Sequence, residues 1–551
     1  MRKAGVSFLL ALLAGSALAQ PADVVLLNGK VLAGEAPFSL RAALAVRDGR
    51  ILAAGTNAQI RKLQGKGTRV IDLQGRTVIP GLIDSHMHAI RAALSFATEV
   101  NWIGAASLEE ALGRVKQAAA TARPGAWLIV AGGWTDAQFR EKRRPTQAEL
   151  AAAAPGHPVY VQWFYAWAML TEPALEALKI RDDADLPAGL KLERAADGKP
   201  TGAVAGPAIA ALFSRLPAPN FAEQVDGTKK FFRELNRLAL TGVIDPGGFN
   251  MSPEAYQALF RVWRDRQLTM RVSYSLFSQK GGKELDEFKE LAQMTPMGMG
   301  DGLLRFNGIG ERVTFGMYNN DNPTEEQKNQ LYLAAKWAAE RGMTLTQHWN
   351  NDASVHHLLD VFDRVDRELP IAPLRWTIAH LNDASDASLA RMKALGVGWT
   401  LQDAMYFEGE RFLAERGAPA ARRAPPVVSA LRIGVHVGAG TDAHRVMSYN
   451  PFVALQWLLD GRTTAGTPLR GPDEMPTRAE ALRLYTMGSA WTDFSDGRRG
   501  SLENGKLADL AVLSKDYLTA SVAEIGGIES LLTMVGGRIV YAAGPYEKLE
   551  R

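Results

Sequence analysis

The chain has no cysteine among its 551 residues. Disulfides are thereby excluded in any compartment, and thiolate drops out as a nucleophile or metal ligand. A metal site here has to be built from His, Asp, Glu or a modified Lys. Excess charge is scarce as well: the formal net charge is +4, falling to about +2 without Arg2 and Lys3. There is no polybasic tract and no lipid-anchor signal, so nucleic acid is not an expected partner. Long apolar runs are also missing. No stretch reaches the roughly 18 apolar residues of a transmembrane helix, so no membrane span is expected.

The first twenty residues, MRKAGVSFLLALLAGSALAQ, pair a basic start (Arg2, Lys3) with a short apolar run (Val6 to Gly15) and a small-x-small triplet, Ala17-Leu18-Ala19. This is the pattern of a cleavable signal peptide, cut after Ala19, and it predicts an exported protein, periplasmic or secreted. The whole chain is 47% hydrophobic, enough for a large core and more than one domain.

Three textures follow. From Ala22 to about Val78 short alternating strands are punctuated by Asn28-Gly29 and Asp48-Gly49, both read as hairpin turns. The C-terminal stretch, GSLENGKLADLAVLSKD and TMVGGRIVYAAG, has the same texture, which predicts one small β-domain built from 20–78 and 500–551. Between them, apolar strands alternate with helical stretches: Val78–His88, Thr241–Gly247, Leu268–Phe277, Leu303–Glu311, Met343–Trp349, Leu374–His380, Val397–Asp403 and Val435–Ala443. Alternating strands and helices imply an α/β fold with a parallel sheet, and eight strands close a (β/α)8 TIM-type barrel over 79–499. Residues 91–235 are left as a large insertion with strands of its own at AWLIVAGGW and HPVYVQWFYAW.

Four of the nine histidines stand at C-terminal strand tips: His86 and His88 after PGLIDS, His348 after TLTQ, His380 after WTIA. Those tips form the active-site face of such a barrel. A His-x-His pair on an extended segment directs both imidazoles to one side, a start for a zinc-like divalent ion. The eighth strand ends GAGTDAH, placing Asp442 where one carboxylate can ligate metal and serve as general base.

VIPGLIDSHMH, His348, His380, GTDAH and the closing GKLADLAVL together resemble the metal-dependent amidohydrolase superfamily, in the branch of N-substituted formamide deformylases. The resemblance covers nearly the whole mature chain. It implies a barrel with an insertion plus a β-sandwich domain from both chain ends. By that resemblance His86 and His88 bind one divalent metal, His348 and His380 a second, and Asp442 contacts the first and handles the proton. The reaction it implies is hydrolysis of a C–N bond, an N-acyl or N-formyl amide, in a small-molecule substrate. The same apparatus on an ester, lactone or phosphoester is one alternative, and a non-catalytic metal- or ligand-binding relative is another.

The departure is on the fourth strand, where the family often carries a carboxylated lysine between two metals. This chain has Glu311 there, and a glutamate supplies an anionic carboxylate without modification. Either Glu311 bridges two ions, or it pairs with Arg312 and the site holds one. Gln402, His444, Trp349 and Trp163 are candidate substrate contacts; Trp349 could equally pack under the following helix. The aromatic insertion (Trp134, Trp163, Phe164, Tyr165, Trp167) suits an apolar or aromatic substrate group. His157, His356 and His357 read as structural, and self-association into a homo-oligomer stays open.

Overall fold

The computed structural model describes residues 21–34 and 38–550; the leader read above lies outside them. Eight short strands carry the centre: β1 (Leu82–Asp84), β2 (Leu240–Asp245), β3 (Arg271–Leu276), β4 (Leu304–Ile309), β5 (Thr346–Trp349), β6 (Thr377–His380), β7 (Gly398–Gln402) and β8 (Val437–Gly440). Strands β1 to β4 pair in parallel in chain order, and so do β5 to β8. A parallel bridge between Ile309 and Leu345 joins β4 to β5. The ring closes from β8 to β1 through Ser85 N–H to the Ala439 carbonyl (3.0 Å) and Asp442 N–H to the His86 carbonyl (2.8 Å). All six residues of β2 are buried, as in a parallel sheet covered on both faces. The surrounding helices begin and end on local signals. Glu325–Glu340 opens on a Thr324–Gln327 capping box, and Asp386–Leu395 stops at Gly396 in the left-handed region (φ 69°).

The first strand is not continuous. Thr77–Pro80 belongs to an outer sheet, where Ile79 faces Ala511, while Leu82–Asp84 joins the barrel. The switch falls at Gly81, whose N–H goes to the Asp509 carbonyl while the next, from Leu82, goes to Ala239. A Cβ at Gly81 would stand 2.3 Å from the Thr241 side chain, so only glycine lets the chain cross there. The boundary at 78/79 therefore falls inside a strand of the outer sheet.

That outer sheet has six strands, in the order Arg538–Ala542, Ser530–Val535, Leu510–Leu513, Thr77–Pro80, Lys30–Ala33, Ser39–Arg41, so both ends of the chain pair in it. A four-stranded sheet (Arg50–Gly55, Ala43–Arg47, Val24–Leu27, Arg69–Asp72) packs on it through Leu26, Leu44 and Ile71 against Val78, Leu510 and Leu532. Asp48-Gly49 makes the expected hairpin, with φ of 49° and 71°. Asn28-Gly29 does not: Val24–Leu27 and Lys30–Ala33 lie in different sheets, and Gly29 is squeezed against Leu73, where a Cβ would have 2.3 Å.

The insertion is narrower than 91–235. Helices α1 (Ala89–Ser95) and α2 (Phe221–Arg237) pack in the barrel's core through Ile90, Ala93, Phe231 and Leu235. They touch closely enough that a Cβ at Gly227 would lie 2.4 Å from the Ala93 carbonyl oxygen. What lies between is a five-stranded sheet ordered Lys191–Arg194, Pro200–Ala205, Trp167–Leu170, Val159–Trp163, Leu128–Val130, with apolar clusters of its own. Among the described residues no helix is long and apolar enough to cross a membrane.

Candidate metal centre and active site

At the tip of β1 the chain leaves the sheet as Ser85-His86-Met87-His88. Asp84, wholly buried, accepts from His86 N–H (2.9 Å) and from the Thr441 hydroxyl (2.8 Å), fastening the tips of β1 and β8 together. Burial pushes its carboxyl up to about 7, against those hydrogen bonds. Across this seam Gly440 is obligatory, since a Cβ would come within 2.6 Å of Asp84 Oδ1 and His86 N.

His88 donates from Nδ1 to the Gly247 carbonyl at the end of β2. A carbonyl can only accept, so Nδ1 carries the proton and Nε2 presents a lone pair to the barrel mouth. That lone pair lies 3.1 Å from Asp442 Oδ1 and 3.5 Å from Glu311 Oε1. His86 Nε2 lies 3.4 Å from Glu311 Oε2 and 3.7 Å from Asp442 Oδ1, and neither of its ring nitrogens has a hydrogen-bond partner among the described residues. Asp442 Oδ1 is likewise without one. Converging acceptor atoms among buried side chains repel each other unless a cation stands between them, and this is the fit the cluster offers a metal.

Glu311, 2% exposed and just past β4, is the hub. Its Oε2 also lies 3.0 Å from His348 Nδ1 and 3.3 Å from His380 Nε2. Two ligand groups result, His86–His88–Glu311 and Glu311–His348–His380, and they share the one carboxylate. Burial opposes its charge, but the surrounding histidines, His348 foremost, with hydrogen bonds from His348 and His380, hold the carboxyl well below the usual range. Burial conversely depresses His86 to about 3, leaving a neutral imidazole suited to ligation. Glu311 is common to both groups, and Arg312 turns away from it, donating to the Ser278 carbonyl (2.7 Å) and lying over Phe315.

The other ligands are held from behind. His380, in the left-handed region (φ 72°), gives its backbone N–H to Gln402 Oε1 (2.9 Å), and its carbonyl accepts from Trp399 Nε1 (2.7 Å). The His348 ring stacks on Tyr318, centroids 4.3 Å apart. Above the cluster opens a cavity of about 670 Å³, lined by His88, Glu311, His348, His380 and Asp442 together with Arg91, Tyr165, Phe249, Tyr318 and Asn382.

None of the four proposed substrate contacts lines that cavity. Gln402 is buried behind His380. Trp349 faces outward, one residue on from inward-facing His348, and bonds Ser354 of the following helix (3.1 Å). His444 gives Nε2–H to Glu99 (2.7 Å), which also holds Arg445 (2.8 Å), so this pair anchors the loop after Asp442. Trp163 packs under Arg144, 3.9 Å from the ring centre; its neighbours Phe164 and Tyr165 reach the cavity instead. Arg91, Tyr318 and Asn382 carry no motif; they lie in the segments that follow β1, β4 and β6.

An eight-stranded parallel barrel with a histidine–carboxylate cluster at its mouth defines a metal-dependent hydrolase. The sequence profile of the Amidohydrolase family matches residues 69–541, and the chain belongs to that family. It is similar to the N-substituted formamide deformylase of Arthrobacter pascens, 27% identical over 95% of this chain and 99% of the relative. Among solved structures, an uncharacterized metal-dependent hydrolase from Pyrococcus horikoshii superposes with a TM-score of 0.65 at 20% identity, covering 91% of this chain and 99% of the other. The atrazine chlorohydrolase of Arthrobacter aurescens, solved in complex with zinc, reaches 0.53 at 15% identity, covering 94% of this chain and 95% of its own. Family members bind a divalent metal, and the histidine–glutamate set is able to hold one here.

Proposed function

We infer that this chain hydrolyses a carbon–nitrogen bond, an amide of N-acyl or N-formyl type, at a centre of two zinc-like ions held by His86, His88, Glu311, His348, His380 and Asp442. The observation that carries the reading is Glu311: one buried carboxylate shared between two histidine pairs at the floor of an open cavity. The two outer sheets are read as a β-sandwich domain, and the leader as a signal for export.

Bound ions supply Lewis acidity there, polarising a carbonyl and making water acidic. The chain does the rest. Gly247, Gln402 and Trp399 fix the orientation of His88 and His380. Asp442, held in the left-handed region (φ 52°) with one free oxygen, accepts the proton of the attacking water and returns it to the leaving amine. The Tyr318 hydroxyl faces the same cavity; burial, then Glu311 and Asp442, raise its pKa well above the ordinary value, so it stays a donor for the oxyanion.

The test is a panel of N-formyl and N-acyl amines beside matched esters, assayed on zinc-loaded protein and on the Asp442→Asn variant. Amide turnover is expected to vanish on chelation and return with zinc. Asp442→Asn should keep its metal and lose roughly 10²- to 10⁴-fold in kcat. Turnover confined to esters, none at all, or a near-wild-type variant would overturn the reading.

A further inference from the structure

Arg91 follows His88 by one turn of α1 and lies against the same bare backbone. A Cβ at Gly248 would stand 3.4 Å from His88 Nδ1 and 3.6 Å from the Arg91 guanidinium carbon. Among the described residues Arg91 makes no hydrogen bond and no ion pair; its one ring contact is Tyr165, 6.0 Å away. The other arginines lining the cavity and its neighbour are all engaged: Arg411 with Glu408 (2.9 Å), Arg416 with Asp383 (2.9 Å), Arg445 with Glu99 (2.8 Å). The charge of buried Asp245 acts on it without a hydrogen bond, since that carboxylate accepts from the Ile90 and Gly247 N–H groups (2.7 Å each). A half-buried guanidinium with no hydrogen-bonded partner, beside a cluster of ligands, is a recognition group in want of an anion. Tyr165 adds a buried hydroxyl without a partner.

Arg91 and Tyr165 also form a party wall. With Phe249 and Ala210 they line both the metal cavity and an annex of about 270 Å³ between α1 and the insertion. The annex is mostly apolar, with Leu94, Ile129, Phe213 and Met251 in its lining, and its one carboxylate, Glu99, is neutralised by Arg445. Its volume exceeds the roughly 150 Å³ that encloses a benzene ring.

We propose that Arg91 and Tyr165 bind a carboxylate of the substrate, so that the amide cleaved is that of an N-acylated amino acid whose apolar side chain enters the annex. The guanidinium fork takes both carboxylate oxygens, and the tyrosine hydroxyl donates to one of them. The wall then sets the distance from the carboxylate to the scissile carbonyl, and the annex selects the side chain. This substrate class rests on the amide-hydrolase reading, but the anion site does not.

The experiment has two arms. In the first, kcat/KM is measured for N-formylphenylalanine and for N-formyl-2-phenylethylamine, which differ only in the carboxylate, on wild type, Arg91→Met and Arg91→Lys. The ratio of acid to neutral amide is expected to fall about 100-fold in Arg91→Met and to recover in part in Arg91→Lys, a point charge without the fork. A fall of equal size on both substrates, or an unchanged ratio, overturns the proposal. The second arm needs no turnover: calorimetric titration of 3-phenylpropionate into zinc-loaded wild type and Arg91→Met of equal metal content. Wild type is expected to bind at least about tenfold tighter. Equal affinities would place the acid on the metal alone, and absent binding to wild type would remove the site; either result overturns the proposal. Loss of amide turnover throughout with the binding difference intact would sink the hydrolase reading and leave the anion site standing.

Discussion

Glu99→Gln reaches Asp442, the proposed proton acceptor, from a distance. Glu99 sits just after α1, 7% exposed at its side chain, with Arg445 NH1 at 2.8 Å and His444 Nε2 at 2.7 Å. Burial opposes its charge, but Arg445 and then His444 prevail and hold the carboxyl at about 2 instead of 4.5. At about 1.4 kcal/mol per tenfold, that difference corresponds to about 3 kcal/mol of stabilisation at neutral pH. The figure agrees with the roughly 3–5 kcal/mol lost when one partner of a buried ion pair is removed. Because the folded-state pKa lies below the unfolded one, the contribution is complete above about pH 4.5 and disappears as the pH falls through about 2. Urea unfolding of wild type and variant should differ by about 3 kcal/mol at pH 7 and by roughly half that or less at pH 3. Since His444 and Arg445 directly follow the Asp442 loop, kcat should also fall, by roughly tenfold to 100-fold, with metal content preserved. A difference under about 1 kcal/mol at pH 7, or one that does not change with pH, would refute the reasoning.

Three further outcomes follow from the same geometry. Glu311→Gln removes the shared charge between the two histidine pairs, and elemental analysis should show metal content dropping from about two ions per chain to one or none; two retained ions would end the bridging role. Tyr318→Phe should lower kcat roughly 10²-fold while leaving metal content intact, and an unaltered kcat would remove the oxyanion donor. Asp509→Asn breaks the two-pronged buried pair with Arg271 of β3 (2.7 and 2.9 Å), which ties the barrel to the outer sheet. Chemical denaturation should register a loss of about 3–5 kcal/mol, and a loss below about 1 kcal/mol would contradict the pairing.

What could be read from the sequence was what depends on chain-local pattern. Strand tips bearing His86, His88, His348, His380 and Asp442 were legible because an apolar run that ends in a metal-binding type is an unusual conjunction, and barrel topology gathers all such tips at one face. Glu311 was reached through the resemblance, at the fourth-strand position where the family often carries a carboxylated lysine, because a glutamate supplies the same anion without modification. The hand-over at Gly81 was not legible, because Pro80-Gly81 marks a break in the apolar run without saying which of two sheets each flanking N–H serves; the steric demand comes from Thr241, 160 residues on. Helices α1 and α2 look alike whether they cover the barrel or the insertion, since an amphipathic pattern names a buried face and not its partner. Gln402, His444, Trp349 and Trp163 lie near the mouth of the barrel but outside the cavity lining, for reasons of direction rather than position. Period-two alternation sends Trp349 outward as surely as it sends His348 inward, and a residue at a strand tip such as Gln402 serves the backbone of its neighbour when that neighbour adopts a left-handed turn. Arg91 illustrates the converse. Nothing in its sequence context distinguishes it, because what marks it is that, among the described residues, the other arginines around the cavities are in ion pairs with carboxylates and it is not.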